Sequence, residues 1–214
     1  MKRICLWSSP RNISTALMYS FAQRADTLVI DEPLYAHYLY RSNLNHPGRN
    51  EILASMENDG ELVVKNVILG SYDKKIIFMK QMAHHLIDLE ESFLFKVENI
   101  ILIRDPRKIL NSFSKIIPDV TMNDIGIEKQ YKLFLKLIAE GHFPVIIDSG
   151  EILKDPLSAL SKLCMALNIP FYEEMLKWEK GPRPEDGVWA KYWYSNVHNS
   201  TGLSPGRVSG ARRA

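Results

Sequence analysis

The sequence has few cysteines, no long apolar segment and almost no net charge, and each absence excludes a class of protein. Its two cysteines, Cys5 and Cys164, lie in apolar surroundings and are predicted to be reduced core residues. No apolar run approaches the ~18 residues of a membrane span, so no membrane association is expected. A formal net charge of +2 argues against a general nucleic-acid-binding protein.

The first residues, Met1-Lys2-Arg3, are similar to the start of a secretory signal peptide. Only four apolar residues follow at positions 4–7 before polar residues begin, which is too short for a signal peptide. We therefore expect a protein of the cytoplasm.

Short apolar runs alternate with segments of helical periodicity along most of the chain. This alternation predicts an α/β fold in which helices cover both faces of a central parallel sheet, a three-layer α/β/α arrangement. We expect a single domain over residues 1–203 and a flexible tail over residues 204–214. The predicted strands span residues 4–7, 27–30, 62–64, 76–79, 100–103 and 145–147. The predicted helices span residues 14–23, 50–58, 83–92, 106–116, 128–140, 156–167 and 171–177.

The loop after the first predicted strand has the composition of an anion-binding site. Residues 8–12 turn the chain, and Ser14 and Thr15 open the following helix. Free amides and hydroxyls converge there, the helix dipole directs its positive end to the same place, and Arg11 adds a full charge. The loop is therefore predicted to bind a phosphate group, beyond the carboxyl ends of the strands.

The common nucleotide-binding loop, G-x-x-x-x-G-K-[ST], is absent. There is no lysine directly before Ser14 and no glycine between Trp7 and Thr15. An ATP or GTP enzyme of the usual kind is disfavoured.

A second strand, turn and helix carries another phosphate-binding pattern. Arg104 stands at the end of the strand at 100–103, Pro106 begins the helix, and Ser112 follows eight residues after Arg104. A guanidinium can clamp two phosphate oxygens, and a hydroxyl adds a donor.

Together these two motifs resemble those of the sulfotransferases, which use 3′-phosphoadenosine 5′-phosphosulfate (PAPS). The first loop is similar to the family's Pro-[Lys/Arg]-Ser-Gly-Thr-Thr, and the second segment to its Arg-x-Pro-x-x-x-x-x-Ser. The resemblance implies a P-loop-type fold, PAPS as co-substrate and no metal. It assigns the 5′-phosphosulfate to the first loop and the 3′-phosphate to the second segment. The implied cofactor-binding residues are Arg11, Asn12, Ile13, Ser14, Thr15, Arg104 and Ser112. Ile13 departs from the family, because glycine lets a phosphate approach the backbone closely.

The segment after the second predicted strand supplies a candidate base. Several sulfotransferases carry a Glu-Pro pair there, and Glu32 takes that position; a base is needed because an alcohol is a weak nucleophile until its proton is removed. His37 is the alternative base. Arg11 is expected to stabilise charge on the bridging oxygen. Lys80, at the end of another strand, is either part of the catalytic site or a surface charge.

The adjacent His84 and His85 either face the acceptor pocket or belong to an amphipathic helix. The aromatic segment 189–194 either covers the cofactor, lines the acceptor site or packs on the core. Sulfotransferases often close over the 3′-phosphate with Arg-Lys-Gly, which is missing here. Substitutes for that motif are Lys191, Ser200, Thr201, Gly202 and Arg207.

We expect a small-molecule acceptor with a hydroxyl or an amine, while the acceptor's identity and the oligomeric state are not predicted. Two other interpretations stay open. One is an atypical small-molecule kinase, in which Asp31 or Asp105 would hold Mg²⁺. The other is a non-catalytic nucleotide-binding protein on the same fold.

Overall fold

The computed structural model describes residues 1–114 and 125–204, and its core is one five-stranded sheet. All four strand pairings are parallel, and the strand order is β2-β3-β1-β4-β5. The predicted parallel α/β fold is therefore confirmed. The strands are β1 (Lys2–Ser8), β2 (Thr27–Asp31), β3 (Ile76–Met82), β4 (Glu98–Ile103) and β5 (Val145–Asp148).

Helices follow most strands, and no helix within the described ranges is long and apolar enough to cross a membrane. The α-helices are α1 (Ser14–Ala22), α2 (Tyr35–Ser42), α3 (Arg49–Ser55), α4 (Gly60–Val63), α5 (Pro106–Phe113), α6 (Ile127–Ala139), α7 (Ser149–Lys154), α8 (Pro156–Ala166), α9 (Ala190–Trp193) and α10 (Ser195–His198). Shorter 3-10 helices span Ala83–His85, Ser92–Lys96 and Glu173–Leu176, and a π-helical turn spans Val64–Ile68.

The central strand β1 separates two hydrophobic cores. Ile4 and Leu6 pack with α1 and α8, whereas Cys5 and Trp7 pack in the cluster that contains α6 side chains. Successive side chains of a strand point to opposite faces, so a strand covered on both faces reads as a continuous apolar run. Cys5 and Cys164 are free and fully buried, which confirms their prediction as core residues.

The predicted strand at 62–64 is wrong, because these residues belong to α4 and the π-helical turn after it. The side chain of Asp59 accepts hydrogen bonds from the N–H groups of Glu61 and Leu62 and so caps the start of α4. Val63 and Val64 bury their side chains in the core from this helical backbone. A short apolar run is compatible with a strand or with a buried helix, and here the Asp59 cap favours the helix.

Two predicted helices are also wrong. Over 83–92 the chain forms no α-helix but only the 3-10 helix Ala83–His85 and the first residue of the next one, because β3 continues to Met82 and Asp88 then adopts a left-handed backbone with φ of 44°. Over 171–177 only the 3-10 helix Glu173–Leu176 forms.

Other predicted regions fall partly outside the described residues. The end of the predicted helix at 106–116 and the tail at 205–214, with Arg207, lie there. The division into one domain at 1–203 and a flexible tail stays a prediction.

Candidate active site

A cavity of about 630 Å³ lies at the carboxyl ends of β1 to β4. Its lining comes from the loop after β1, the start of α2, the segment after β3, the turn into α5 and the carboxyl-terminal segment 189–204. The volume falls within the range of small-molecule sites. The four strand ends therefore bring most of the predicted residues to one place.

The loop after β1 has a backbone suited to an anion. Arg11 and Ile13 both adopt left-handed conformations, with φ of 58° and 47°. Turns of this kind direct successive N–H groups into one concavity. No described side chain caps the start of α1, although the N–H groups of its first turn need acceptors. The loop thus offers uncapped N–H groups and a positive helix end to a negatively charged ligand.

Ile13 occupies the backbone conformation that glycine usually supplies. The left-handed conformation costs a side-chain-bearing residue roughly 1–2 kcal/mol. Its side chain packs against the core cluster below α1. The departure from glycine therefore leaves the left-handed turn in place.

Two arginines and a serine form the second part of the site. The Arg11 Nε donates to the Ser112 Oγ at 3.1 Å, and the Arg104 guanidinium donates to the main-chain oxygen of Arg11. Burial lowers the pKa of Arg11 below its ordinary value, and the charge of Arg104 lowers it further. An anion between these guanidinium groups would offset the repulsion between their charges and so raise the pKa of Arg11 again.

The other loop residues lie in the same cavity but differ in their surroundings. Ser14 is buried and Thr15 half-buried. Asn12 is also buried, and its Nδ2 donates to the main-chain oxygen of Leu102 at 2.7 Å. The amide of Asn12 therefore ties the loop to β4.

Lys80 is the centre of a buried ionic network. Its Nζ lies 2.9 Å from the Asp31 Oδ1, contacts the Glu32 Oε1 and donates to the Tyr194 hydroxyl at 2.6 Å. The side chain of Lys80 is 1% exposed, so the interpretation as a surface charge is wrong. Asp31 and Lys80 are register partners on neighbouring parallel strands, which explains why they meet.

Tyr194 connects this network to the carboxyl-terminal segment. Its hydroxyl donates to the Asp31 Oδ2 at 2.7 Å and accepts from the Trp189 Nε1 at 3.0 Å. The hydroxyl also accepts from Lys80, so its hydrogen-bonding capacity is filled.

The charges of the network have opposite effects on its members. Burial raises the pKa of Glu32; Lys80 opposes this rise, and the charge of Asp31 adds to it. For Lys80, burial acts to lower the pKa, but the two carboxylates outweigh it and the pKa is raised. Lys80 therefore stays protonated, and Glu32 is a stronger proton acceptor than an exposed glutamate.

The three candidate histidines, His37, His84 and His85, occupy different positions. His85 Nε2 lies 3.9 Å from the Glu32 Oε2, and burial, followed by neighbouring charges, lowers the pKa of His85 well below its ordinary value. His84 and His85 both line the cavity. His37 does not: its Nε2 lies 2.8 Å from the Ile87 oxygen, and its Nδ1 accepts from the Gly60 N–H at 3.1 Å.

The late residues proposed to replace the missing Arg-Lys-Gly motif differ in their positions. Ser200 and Gly202 line the cavity, whereas Thr201 does not and instead accepts from the Trp178 N–H at 3.1 Å. Gly202 forms an antiparallel bridge with Lys177. Lys191 lies 2.6 Å from Glu51 on the surface and does not line the cavity.

Sequence reasoning missed the roles of several cavity residues. It did not assign Tyr38, His46 or Met82, and it gave Tyr194 no link to Lys80. One sequence pattern could have indicated two of the cavity residues: Tyr35 and Tyr38 are one helical turn apart and follow directly after Glu32-Pro33.

A family model described as a sulfotransferase domain matches residues 1–210 of the chain. The chain belongs to the sulfotransferase family.

The fold comparison agrees with this membership. The sulfotransferase domain from the curacin biosynthetic pathway is similar, with a TM-score of 0.57, 17% identity and coverage of 98% of this chain and 86% of that one. A sulfotransferase from Alicyclobacillus acidocaldarius also gives a TM-score of 0.57, at 10% identity, covering 84% of this chain and 87% of its own. At these identities the likeness concerns the fold alone.

A plant relative is much closer in sequence than these two structures. Branched-chain-amino-acid aminotransferase-like protein 1 of Arabidopsis thaliana is 46% identical over 199 residues, which cover 92% of this chain. The chain spans only 36% of the length of that relative.

Proposed function

We propose that this protein transfers a sulfuryl group from PAPS to a hydroxyl or amine of a small-molecule acceptor. The observation that carries the proposal is one cavity that joins a phosphate-type cradle to a buried carboxylate. Arg11, Arg104, Ser112 and the uncapped start of α1 form the cradle, and Glu32 supplies the carboxylate. Membership in the sulfotransferase family supports the same reaction.

The residues of the cradle fit a donor with two separate phosphate-bearing positions. We assign the 5′-phosphosulfate to the loop residues Arg11, Asn12, Ile13, Ser14 and Thr15. The 3′-phosphate would lie against Arg104 and Ser112, where a guanidinium and a hydroxyl already face the cavity. The segment 200–202 would lie over the bound nucleotide.

Glu32 is the proposed base. Its carboxylate would accept the acceptor's hydroxyl proton while the acceptor oxygen forms its bond to sulfur. The bond between that sulfur and the bridging oxygen breaks, and adenosine 3′,5′-bisphosphate leaves. Arg11 and the N–H groups of Ser14 and Thr15 would stabilise the charge on that oxygen.

Lys80 has a supporting role in this scheme. Since it contacts both Asp31 and Glu32, it would keep the Glu32 carboxylate ionised and oriented. His37, the alternative base, lies outside the cavity, so we favour Glu32.

Calorimetric titration of Arg104→Ala tests the donor site. We expect wild-type protein to bind adenosine 3′,5′-bisphosphate without metal and more tightly than adenosine 5′-phosphate. Arg104→Ala should weaken binding of the bisphosphate by about tenfold or more, and far more than binding of adenosine 5′-phosphate, because a charge-assisted bond to the 3′-phosphate is worth ~1.5–3 kcal/mol.

Arg107→Ala is the matched control. Arg107 lies three residues after Arg104, in the first turn of α5, but its side chain is 87% exposed, pairs with Asp105 and does not line the cavity. Equal losses for both nucleotides in Arg104→Ala would contradict the 3′-phosphate assignment. Preference for ATP–Mg²⁺ would favour the kinase, and nucleotide binding without transfer to any acceptor would favour the non-catalytic protein.

A further inference from the structure

The β2–β3 side of the cavity carries a group of aromatic and imidazole rings. Donor residues come from the loops after β1 and β4, whereas these rings come from the segments after β2 and β3 and from the carboxyl-terminal segment. We call this group the aromatic wall; it consists of Tyr35, Tyr38, His84, His85, Trp189 and Trp193.

Five rings of the wall pack on one another, and the sixth, Trp193, packs against His46, which also lines the cavity. Tyr35 and Tyr38 both stack on His85, with ring centroids 4.9 Å and 4.7 Å apart. The ring of Trp189 meets Tyr35 edge-on at 5.2 Å. His85 also lies 3.9 Å from Glu32, so the wall adjoins the proposed base.

The charges next to the wall do not balance. Asp31 and Glu32 are two buried carboxylates that share one buried cation, Lys80. When both carboxylates are ionised, this network carries one net negative charge. The histidine nearest to it, His85, is held neutral by burial. The guanidiniums of Arg11 and Arg104 come from the β1 and β4 loops on the donor side.

An ammonium group would be stabilised both by the aromatic wall and by the net negative charge of the carboxylate network. Aromatic faces attract a cation through the ring quadrupole, most strongly where water is excluded. A cation near Glu32 would also compensate the unbalanced carboxylate, whereas an anionic acceptor would add to the buried negative charge. The proposed base in turn requires a hydroxyl within its reach.

We propose that the acceptor is a small amino alcohol whose ammonium group lies against the aromatic wall and whose hydroxyl faces Glu32. This inference rests on the proposed sulfotransferase function. The cavity of about 630 Å³ must hold the donor as well, so the acceptor has to be small.

The transfer balances for such an acceptor. The hydroxyl oxygen bonds to the donor sulfur, its proton goes to Glu32, and the bond from sulfur to the bridging phosphate oxygen breaks. The product is a sulfate ester that keeps its ammonium group and is therefore a zwitterion.

Isosteric pairs of ligands test the inference. The full chain, with and without saturating adenosine 3′,5′-bisphosphate, is titrated calorimetrically with choline and with 3,3-dimethylbutan-1-ol, its neutral isostere. Ethanolamine and propan-1-ol form a second pair. We expect at least one cation to bind about tenfold or more tightly than its neutral twin. Equal affinity in both pairs, preference for the neutral alcohols, or no binding of either cation would overturn the proposal.

Variants at Trp193 test whether the aromatic wall causes the preference for cations over their neutral isosteres. Trp193 lines the cavity and is only partly buried, so its replacement is less disruptive than that of a core residue. Trp193→Leu should reduce the cation preference to less than about threefold, and Trp193→Phe should retain it. Tyr192→Leu, next in sequence but outside the cavity, is the control. An unchanged preference in Trp193→Leu would contradict the assignment to the wall.

The two proposals can fail separately. Arg104-dependent binding of the bisphosphate without any cation preference would overturn the amino alcohol and leave the donor site standing. Cation preference without bisphosphate binding would overturn the donor assignment and leave the ammonium site standing.

Discussion

Glu32 combines an unusual backbone with an unusual electrostatic environment. Its φ is 41°, and its N–H donates to the Lys80 main-chain oxygen at 2.8 Å, which holds this conformation. Left-handed residues other than glycine are strained and are found disproportionately at functional sites. This backbone conformation, directly after β2, places the Glu32 carboxylate next to Lys80 and in the lining of the cavity.

At the residue scale, the pKa of Glu32 predicts how turnover depends on pH. A base must be deprotonated, so kcat/KM should rise with pH through the pKa of Glu32. Because burial raises that pKa, the rise should lie above the ordinary glutamate range. Glu32→Gln should bind adenosine 3′,5′-bisphosphate normally and lose ~10²–10⁴ in turnover. Its kcat/KM should not show this rise with pH.

The measurement is a pH profile of radiolabelled sulfate transfer. Glu90→Gln serves as a control, because Glu90 lies outside the cavity. An active Glu32→Gln enzyme whose kcat/KM still rises with pH over the same range would show that another group is the base.

At the element scale, the Tyr194 hydroxyl attaches the carboxyl-terminal segment to the sheet. Tyr194 OH bridges Asp31, Lys80 and Trp189, while the following residues reach the cavity at Ser200 and Gly202. The same segment therefore contacts both the base network and the donor side.

Tyr194→Phe should destabilise the protein by about 1–3 kcal/mol, since it leaves buried polar groups without their partner. Urea denaturation measures the loss, and protease cleavage within 187–204 should become faster. Tyr192→Phe is the matched control, because Tyr192 is half-exposed and its hydroxyl donates to Glu51 at the surface. Equal effects of the two variants would contradict the anchoring role of Tyr194.

At the scale of the whole molecule, the proposed donor site is assembled from distant parts of the chain. Arg11 and Ser112 are 101 positions apart in sequence, yet their side chains form a hydrogen bond. A ligand that binds both parts stabilises only the folded state.

Adenosine 3′,5′-bisphosphate should therefore raise the melting temperature. At 100 times its Kd the gain is about 2.7 kcal/mol, which corresponds to about 5–10 °C for a chain of this size. Differential scanning fluorimetry measures the shift, which should fall strongly at the same ligand concentration in Arg104→Ala and not in Arg107→Ala. A shift independent of Arg104 would contradict the assigned site.

The sequence by itself determined the sheet class and the rim of the cavity. Arg11, Glu32, Lys80 and Arg104 each follow or end an apolar strand, and parallel strands end at the same edge. The spacing of the two phosphate-binding motifs also indicated the family. These are local properties, readable within one strand and its loop.

Only the tertiary structure decided what Lys80 and the aromatic segment do. The contact between Lys80 and Asp31 depends on strand order and register, and Tyr194 meets Asp31 across 163 positions of sequence. The run at 83–92 likewise has a helical pattern, but β3 extends further and His85 packs beneath Tyr35 and Tyr38. Long-range packing outweighs local propensity wherever buried charges and rings must find partners, and periodicity contains no information about those partners.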